Sequence, residues 1–512
     1  MSDNKLIAKN TLMLYFRMIL IMGVTLYTSR VVLGVLGVED FGIYNIVGGV
    51  VAMFGFLNGS LTIATQRFLT FELGKGDIDQ LKRVFGVSLL IHSFLALVII
   101  LLAETIGLWF FFTKLNIPVG RFEAAMWVYQ MSVLSAALTV TQVPYNAIII
   151  SYERMDAFAY ISIVEVVLKL IVVFILARLD YDKLIVYSIL IFFVTFFIRK
   201  LYKRYSKRIF RKTISSYMFD KTILLNVFSF SGWSLFGSVS YIVKSQGVNV
   251  LLNLFYGTTL NAAYGISQQV NTAITSFSQN FTMALNPPIV KAYAKRDLNS
   301  TCMLLFSGMK YSFYCSFLLI IPLLYETEYV LSLWLKTVPD YTVDFTRFAL
   351  IASLVDSFSY AIGATVQATG RIKWYQIIIG GILFLNLPFS YFIMKLTGEP
   401  TSALIIALAL TIVAISFRFV ILYKLIVFPI YKLIQLLYLV ILFCLFTFPV
   451  IYLVNSCFVP SFWRLLLSYV SVFIITSWVL LSWGVTTNER EKIFLILKRF
   501  TDRILVKIRI KK

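Results

Sequence analysis

The chain has 512 residues and a formal net charge of +22, from 46 Lys and Arg against 24 Asp and Glu. Of its residues, 60% are apolar and 14% are charged, whereas soluble domains average about 45–50% and about 25%. This composition excludes a soluble multidomain enzyme, a disordered regulator and a disulfide-stabilised secreted module. It also argues against nucleic-acid binding, because the basic residues are not gathered on one compact domain.

Apolar segments long enough to cross a membrane recur along the whole chain. A membrane-spanning helix needs about 20 mostly apolar residues, and these continuous runs exclude the short alternating strands of a barrel. The chain is therefore predicted to be an all-α integral membrane protein with about 14 transmembrane helices. The predicted spans are residues 10–34, 41–68, 84–111, 122–150, 157–178, 183–201, 223–252, 260–288, 301–324, 345–368, 374–396, 401–423, 432–454 and 462–484.

The basic residues are distributed unequally between the two sides of the predicted bundle. Loops on one side carry 31 Lys and Arg, loops on the other side carry 7, and 8 lie within spans. By the positive-inside rule the basic side is cytoplasmic, so both termini are predicted to be cytoplasmic. The N-terminal apolar segment is too long for a cleavable signal peptide and contains Arg17, so it is predicted to be the first span.

The two halves of the chain share a weak internal repeat. At an offset of 220, residues 37–77 align with residues 257–297 without a gap, and eight of 41 positions are identical. Such repeats are typical of secondary transporters, and they predict two six-helix lobes related by a pseudo-two-fold axis along the membrane normal. The predicted parts are an N-terminal lobe at 1–201, a basic cytoplasmic linker at 202–222, a C-terminal lobe at 223–424, two extra transmembrane helices at 425–487 and an amphipathic basic tail at 488–512.

Ionisable residues within the predicted spans indicate a binding cavity, because charged groups are costly in lipid. Eight bases stand against three acids in these spans, so the interior is predicted to be cationic. Lys310, Arg347 and Arg418 lie near span ends and are expected to reach the membrane surface. The bases predicted to contact an anionic group are Arg17, Arg30, Arg67 and Lys244. For Arg67 the sequence equally allows a side chain that extends to the membrane surface.

Three further ionisable residues are candidates for ion coupling. Glu165 and Lys169 lie four residues apart on one helix, which suits either a structural ion pair or a coupling-ion site. Asp356 lies in the middle of a span and is either the partner of an intramembrane base or a proton or cation site. No cofactor is predicted, and coupling to Na⁺ or H⁺ is left open. The single His92 and the spacing of the four cysteines provide no metal site.

Polar residues follow one face of the seventh and eighth predicted spans at steps of three or four. Hydrogen bonding between helices would explain Ser and Thr residues there, but the many Asn and Gln side chains favour a water-filled groove. Hydroxyl and amide groups suit a ligand rich in hydroxyls. The residues predicted to contact such a substrate are Ser238, Ser245, Asn249, Gln268 and Gln279.

Short motifs in the first third of the chain resemble the polysaccharide flippases of the multidrug/oligosaccharidyl-lipid/polysaccharide exporter superfamily. The run Ser29–Gly34 followed by Gly37–Tyr44 resembles the opening of these flippases. Ala64–Phe68 and Gly74–Asp77 are similar to the O-antigen branch. The resemblance implies a V-shaped transporter that moves undecaprenyl-pyrophosphate-linked oligosaccharide units by alternating access, for O-antigen, capsule or exopolysaccharide biosynthesis.

The resemblance also implies the partners and the location of the protein. These are the lipid-linked oligosaccharide, membrane lipids and polysaccharide-assembly proteins, with no nucleic acid, for a monomer in the bacterial cytoplasmic (inner) membrane. One alternative is a cation-coupled multidrug exporter of the same superfamily. Such exporters commonly carry a carboxylate in the first span, whereas residues 11–36 contain none. An alternative of another class is an integral-membrane polysaccharide polymerase or acyltransferase, which would need a large outer loop or a reactive His/Asp group.

Overall fold

A computed structural model describes residues 3–52, 56–115, 117–214, 217–256, 258–335, 338–485 and 490. Within these ranges the chain is all helical, which confirms the predicted fold class. Eleven helices are long and apolar enough to cross a membrane, or 12 if the bent pair α12–α13 (Thr342–Asp356 and Ser359–Thr369) is one span. The predicted basic tail at 488–512 lies outside the described residues, apart from residue 490.

Two of the 14 predicted spans are not among these helices. The second, at 41–68, includes residues 53–55, which lie outside the described residues. The eighth coincides with a 37-residue helix that does not reach the hydropathy of a span, because it is rich in Asn, Gln, Ser and Thr. The remaining predicted spans each coincide with an apolar helix or with the bent pair.

Among the residues that the structure describes, the N-terminal half contains seven α-helices. They are α1 Asp3–Ala52, α2 Phe56–Lys75, α3 Ile78–Leu102, α4 Leu108–Lys114, α5 Phe122–Ser151, α6 Met155–Leu176 and α7 Lys183–Ile209. Within α1 the helix breaks at Gly37, whose φ of 80° lies in the left-handed region that glycine adopts without steric cost. The break divides α1 into two helical pieces.

In the described part of the C-terminal half there are eleven α-helices. They are α8 Lys221–Tyr256, α9 Thr258–Ala294, α10 Leu298–Tyr325, α11 Thr327–Trp334, α12 Thr342–Asp356, α13 Ser359–Thr369, α14 Lys373–Phe384, α15 Asn386–Thr397, α16 Ser402–Leu425, α17 Ile430–Cys457 and α18 Phe462–Val479. The axis bends by 42° between α12 and α13.

The same pattern of helix packing occurs twice, which gives two lobes. In the N-terminal lobe α5 packs against α2, α3 and α7, and α1 packs against α6. In the C-terminal lobe the pair α12–α13 packs against α9, α10 and α16, and α8 packs against α14. Helices α17 and α18 pack against each other and against α10, outside this pattern. The chain therefore has two lobes and two extra C-terminal helices, as the sequence predicts.

The sequence repeat corresponds to a repeated local structure. Gly76 and Arg296, which are 220 residues apart, both have left-handed backbones with φ of 81° and 61°. The next residue in each case, Asp77 or Asp297, caps the following helix by accepting a 2.9 Å hydrogen bond from a backbone N–H three residues further on. A capping carboxylate satisfies a helix N–H that otherwise lacks a partner. The repeat thus preserves the turn between the second and third helices of each lobe.

The two ends of the helix bundle differ in charge. We call the end with the loops at 75–78, 151–155, 210–220 and 294–298 the basic end. At the opposite end Arg121 joins three helices of the N-terminal lobe. Its Nη2 lies 2.6 Å from Asp40 Oδ2 and its Nη1 lies 2.5 Å from Asp182 Oδ2. Asp182 also caps α7 by accepting hydrogen bonds from two backbone N–H groups.

This cluster predicts a loss of stability in acid. Burial is the largest single influence and raises the pKa of Asp182, but the hydrogen bond and charge of Arg121 together with the backbone N–H groups of Ile185 and Leu184 hold this pKa below its ordinary value of 3.8. A lowered folded-state pKa means that the stabilisation is complete above the unfolded pKa and is lost as the pH falls through the folded pKa. We expect the unfolding temperature of the protein in detergent to decrease when the pH is lowered below about 4.

Arg121→Gln should remove part of this acid dependence and lower the free energy of unfolding by about 1–3 kcal/mol, the cost of an unpaired charged partner. The matched control is Arg178→Gln, because Arg178 is an exposed base at the same end. An Arg121→Gln variant with the acid dependence of the parent protein would contradict the assignment.

Candidate functional site

A polar pocket of about 80 Å³ lies in the C-terminal lobe, in the half away from the basic end. Helices α8, α9, α12 and α16 form its walls. The polar side chains that line it include Tyr241, Lys244, Gln268, Asn271, Ser353 and Asp356. The pocket therefore combines hydroxyl, amide and charged groups within a membrane-spanning lobe.

Asp356 brings a carboxylate to the pocket lining. It is the last residue of α12, which begins at Thr342 at the opposite end of the bundle. At 1.5 Å per residue this places Asp356 about 21 Å along the helix, near the middle of a hydrocarbon core of about 30 Å. The helix axis then bends before α13, so the carboxylate lies at a helix break.

Two bases accompany Asp356. Nη1 of Arg418, on α16, lies 2.6 Å from Asp356 Oδ1 and also donates to Ser359 Oγ. Lys244, on α8, interacts electrostatically with Asp356, and its Nζ donates a 2.7 Å hydrogen bond to Thr411 Oγ1. Two positive groups and one negative group thus leave this cluster with a net charge of +1.

These contacts correct one prediction from the sequence and give a second base an acidic neighbour. Arg418 does not reach the membrane surface but is largely buried and bound to Asp356. Lys244, which lacks an acid on its own helix, interacts with an acid from α12. Of the two interpretations of Asp356, the structure supports the partner of an intramembrane base. Sequence spacing reveals pairs within one helix, whereas these helices meet only in the folded lobe.

Two of the predicted polar contacts lie in the pocket. Ser245 and Gln268 both belong to its lining. They are joined there by Asn271 and Ser353, whose side chains form a 2.6 Å hydrogen bond between α9 and α12. The sequence pattern missed Asn271, although it lies three residues after Gln268 and continues the same face of α9.

The other three predicted polar contacts lie outside the pocket lining. Ser238 donates to a carbonyl one turn back in its own helix. Asn249 accepts a 2.9 Å hydrogen bond from Asn261 and thereby joins α8 to α9. Gln279 is exposed and is hydrogen-bonded to Tyr360. Ser238 and Asn249 therefore have structural partners, as expected for polar residues between membrane helices.

The bases of the N-terminal lobe are not brought to the pocket. The Arg17 guanidinium lies 4.6 Å above the ring of Phe158 and interacts electrostatically with Glu165. Glu165 and Lys169 form a 2.7 Å ion pair on α6, which is one of the two arrangements that the sequence allows. Arg30 is exposed on α1. The predicted substrate contacts of Arg17 and Arg30 stay predictions.

Arg67 lies between the lobes near the basic end. Its guanidinium donates to the carbonyls of Gln367 and Ala368 at 3.2 and 3.1 Å. The same region holds an ion pair across the lobes, in which Lys291 Nζ lies 2.6 Å from Glu153 Oε1. The structure therefore places Arg67 in the contact between the lobes and not in the pocket.

A glycine allows the lobes to approach closely at this end. A Cβ atom added to Gly74, on α2, would lie 2.8 Å from Lys291 Cα and 2.9 Å from Ala294 Cβ. Any larger residue would have to displace backbone atoms of α9. The Gly74–Asp77 motif, which carries part of the sequence resemblance, thus contributes directly to the interlobe contact.

Comparison with known proteins identifies the fold. No family model matches the sequence, and no curated protein matches it. Among solved structures, a multidrug resistance MATE family transporter of the MOP superfamily in an outward-facing conformation matches with a TM-score of 0.69 and 16% identity, over 83% of this chain and 96% of the other. The Vibrio cholerae MATE transporter VcmN in the bent form matches with a TM-score of 0.70 and 17% identity, over 83% and 97%.

A third structure with this fold differs in its pocket. It is a MOP superfamily transporter from Pyrococcus furiosus, described as having a binding pocket of reverse polarity that suggests a different function. It matches with a TM-score of 0.68 and 14% identity, over 83% of this chain and 96% of the other. At these identities the likeness concerns architecture alone. The described helices, the two lobes and these matches together show that the chain has the fold of the MATE transporters.

Proposed function

We propose that the protein is a membrane transporter for an anionic amphiphile, with an undecaprenyl-pyrophosphate-linked oligosaccharide as the first candidate. The observation that carries the proposal is the formal net charge of +1 on the cluster at the pocket, where Lys244 in the lining and Arg418 behind it stand against Asp356. Cationic side chains in a low-dielectric site favour a phosphate group. The neighbouring hydroxyl and amide groups suit a glycan, and the lipid chain can stay in the bilayer.

The arrangement of the lobes suits alternating access. The contacts at Arg67, Gly74 and Glu153 join the lobes near the basic end. The positive-inside rule assigns this end to the cytoplasm, so the conformation described here is closed on the cytoplasmic side. We accordingly propose a monomer in the bacterial cytoplasmic membrane, with both termini cytoplasmic, that works alongside polysaccharide-assembly proteins.

A cation-coupled multidrug exporter is the second candidate. The solved structures favour it, because they include a multidrug resistance MATE family transporter. The formal charge of the Lys244–Asp356–Arg418 cluster favours the flippase, because a net positive site repels organic cations. The reverse pocket polarity described for the Pyrococcus furiosus protein indicates that this fold accommodates pockets of either polarity.

A vesicle assay separates the candidates. Purified protein is reconstituted into sealed vesicles that contain an undecaprenyl-pyrophosphate-linked oligosaccharide, and the access of an impermeant glycosidase to the glycan is followed over time. A flippase exposes the inner pool while the mass of the lipid-linked molecule stays unchanged. A changed mass would indicate a polymerase or acyltransferase. Ethidium transport driven by a Na⁺ or H⁺ gradient, with no exposure of the glycan, would favour the multidrug exporter.

A further inference from the structure

Arg418 is held firmly by the lobe that surrounds it. Its side chain is 12% exposed and that of Asp356 is 23% exposed, so the ion pair is largely withdrawn from solvent. Besides Asp356, the guanidinium donates to Ser359 and is hydrogen-bonded to Tyr375. These partners come from α12, α13 and α14. The Nη1 group of Arg418 is thus directed at the protein, and Arg418 does not belong to the pocket lining.

Lys244 is placed differently. Its side chain lines the pocket, and its ammonium group donates a hydrogen bond to Thr411 Oγ1. An ammonium group has three donors, so it can bind Thr411 and a ligand oxygen at the same time. Lys244 is therefore the base of the cluster that can face a ligand.

Asp356 stands between these two bases and can pair with either. In the structure the short contact is to Arg418, while Lys244 interacts with the carboxylate electrostatically. Without the guanidinium, Asp356 would be a buried carboxylate with Lys244 as its remaining counter-charge. The ammonium would then be drawn to Asp356, because an unpaired buried charge is strongly unfavourable.

We infer that Arg418 is a specificity-determining residue that acts through Asp356. By neutralising this carboxylate it keeps Lys244 available for the anionic group of the substrate, and it thereby sets the charge preference of the pocket. Arg418 is a positioning residue in this account, not a ligand-binding one. The inference rests on the proposed function for the identity of the anion, but the effect of Arg418 on pocket charge does not depend on it.

Binding to the full-length protein in lipid nanodiscs tests this inference. The probes are farnesyl diphosphate as an anionic amphiphile and tetraphenylphosphonium as a cationic one, each measured by calorimetry. We expect Arg418→Gln to weaken farnesyl diphosphate binding by about tenfold or more, the size of one lost hydrogen bond to a charged group. The same variant should acquire tetraphenylphosphonium binding that the parent protein lacks, because the pocket loses its net positive charge.

The double variant Arg418→Gln/Asp356→Asn gives the sharpest result. It removes both members of the ion pair, so no buried charge is left uncompensated and Lys244 is free again. We expect it to bind farnesyl diphosphate about as tightly as the parent protein. Arg418→Lys, which keeps a positive charge beside Asp356, should also retain most of the binding. The double variant provides this test even if the single variant does not fold.

Three outcomes would overturn the inference. A double variant that folds but binds farnesyl diphosphate no better than Arg418→Gln would show that Arg418 contacts the ligand itself. An Arg418→Gln variant with unchanged affinity would show that Arg418 is not needed. If the parent protein does not bind farnesyl diphosphate, the proposed anionic substrate is refuted for this probe. In that case the test of the inference is the binding of tetraphenylphosphonium. If tetraphenylphosphonium does not bind to the Arg418→Gln variant, the inference is overturned.

Discussion

Lys244→Gln is expected to reduce binding and transport of an anionic amphiphile by about 10- to 150-fold. This range corresponds to the 1.5–3 kcal/mol of a hydrogen bond to a charged group. The substitution removes the base that lines the pocket and leaves the Asp356–Arg418 pair, so the cluster becomes neutral. The measurement is calorimetric binding of farnesyl diphosphate, together with exposure of the lipid-linked glycan in sealed vesicles.

The control for this prediction is Lys310→Gln. Lys310 is a base within α10 whose Nζ donates to the carbonyl of Gly484, and it does not line the pocket. Its substitution changes the total charge of the protein equally but leaves the charge of the pocket unchanged. Equal losses in both variants would assign the effect to net charge or to folding and would refute the role of Lys244.

Charge reversal at Glu153 is expected to have the second large effect, on the conformation of the protein. The ion pair of Glu153 and Lys291 joins the lobes at 2.6 Å, and the two side chains are only 11% and 23% exposed. Glu153→Lys places two bases side by side in this contact, where a buried ion pair that loses one partner is destabilised by about 3–5 kcal/mol. We expect the basic end to open more often and transport of the lipid-linked glycan to fall.

Opening can be followed by labelling Ala294→Cys with an impermeant maleimide, in a background whose four native cysteines are replaced by serine. Ala294 lies at the close approach of α9 to Gly74, so a thiol at this position is shielded when the lobes are together. Glu153→Lys should raise the labelling rate by about tenfold or more, since about 1.4 kcal/mol of lost contact energy is enough.

The exchange variant Glu153→Lys/Lys291→Glu should return the labelling rate towards that of the parent. The matched control is Lys295→Glu, which reverses an exposed charge four residues from Lys291. An exchange variant that labels as fast as Glu153→Lys would show that the ion pair does not hold the lobes together. Coupling of this kind is what a double-mutant cycle measures.

The features that the sequence predicts best are those encoded locally. Apolar run length predicts most of the spans. The 220-residue repeat predicts the turn in which Asp77 and Asp297 each follow a left-handed residue. A similar geometry follows α5 and α13, where Glu153-Arg154 and Gly370-Arg371 both begin with a residue of positive φ. Turns and helix caps depend on a few neighbouring residues, so they can be predicted from the sequence without knowledge of the fold.

The pocket can be predicted from the sequence only in part, because its charged residues come from different helices. Ser245 and Gln268 could be predicted since they lie on polar helix faces, and Lys244 since it is a base within a predicted span. Asp356 and Arg418 are 62 positions apart in the chain and lie on different helices. The spacing of residues within either helix therefore does not predict that they pair. The one available signal was that a mid-span carboxylate requires a cationic partner.

Arg67 has contacts that the sequence does not predict. Its position near the end of a predicted span suited either a binding role or reach to the surface. In the structure its guanidinium instead binds two carbonyls of the other lobe and lies 4.7 and 4.5 Å above the rings of Phe68 and Phe71. A contact between lobes depends on how the two halves dock, which residue type and depth in the membrane do not specify.

A structure of the protein with farnesyl diphosphate, determined by electron cryomicroscopy in nanodiscs, tests the central claim most directly. The account predicts diphosphate density in the C-terminal pocket within about 2.7–3.2 Å of Lys244 Nζ, with Asp356 still bound to Arg418. Diphosphate bound elsewhere between the lobes with the pocket empty, or Asp356 paired with Lys244 while Arg418 contacts the phosphate, would contradict it.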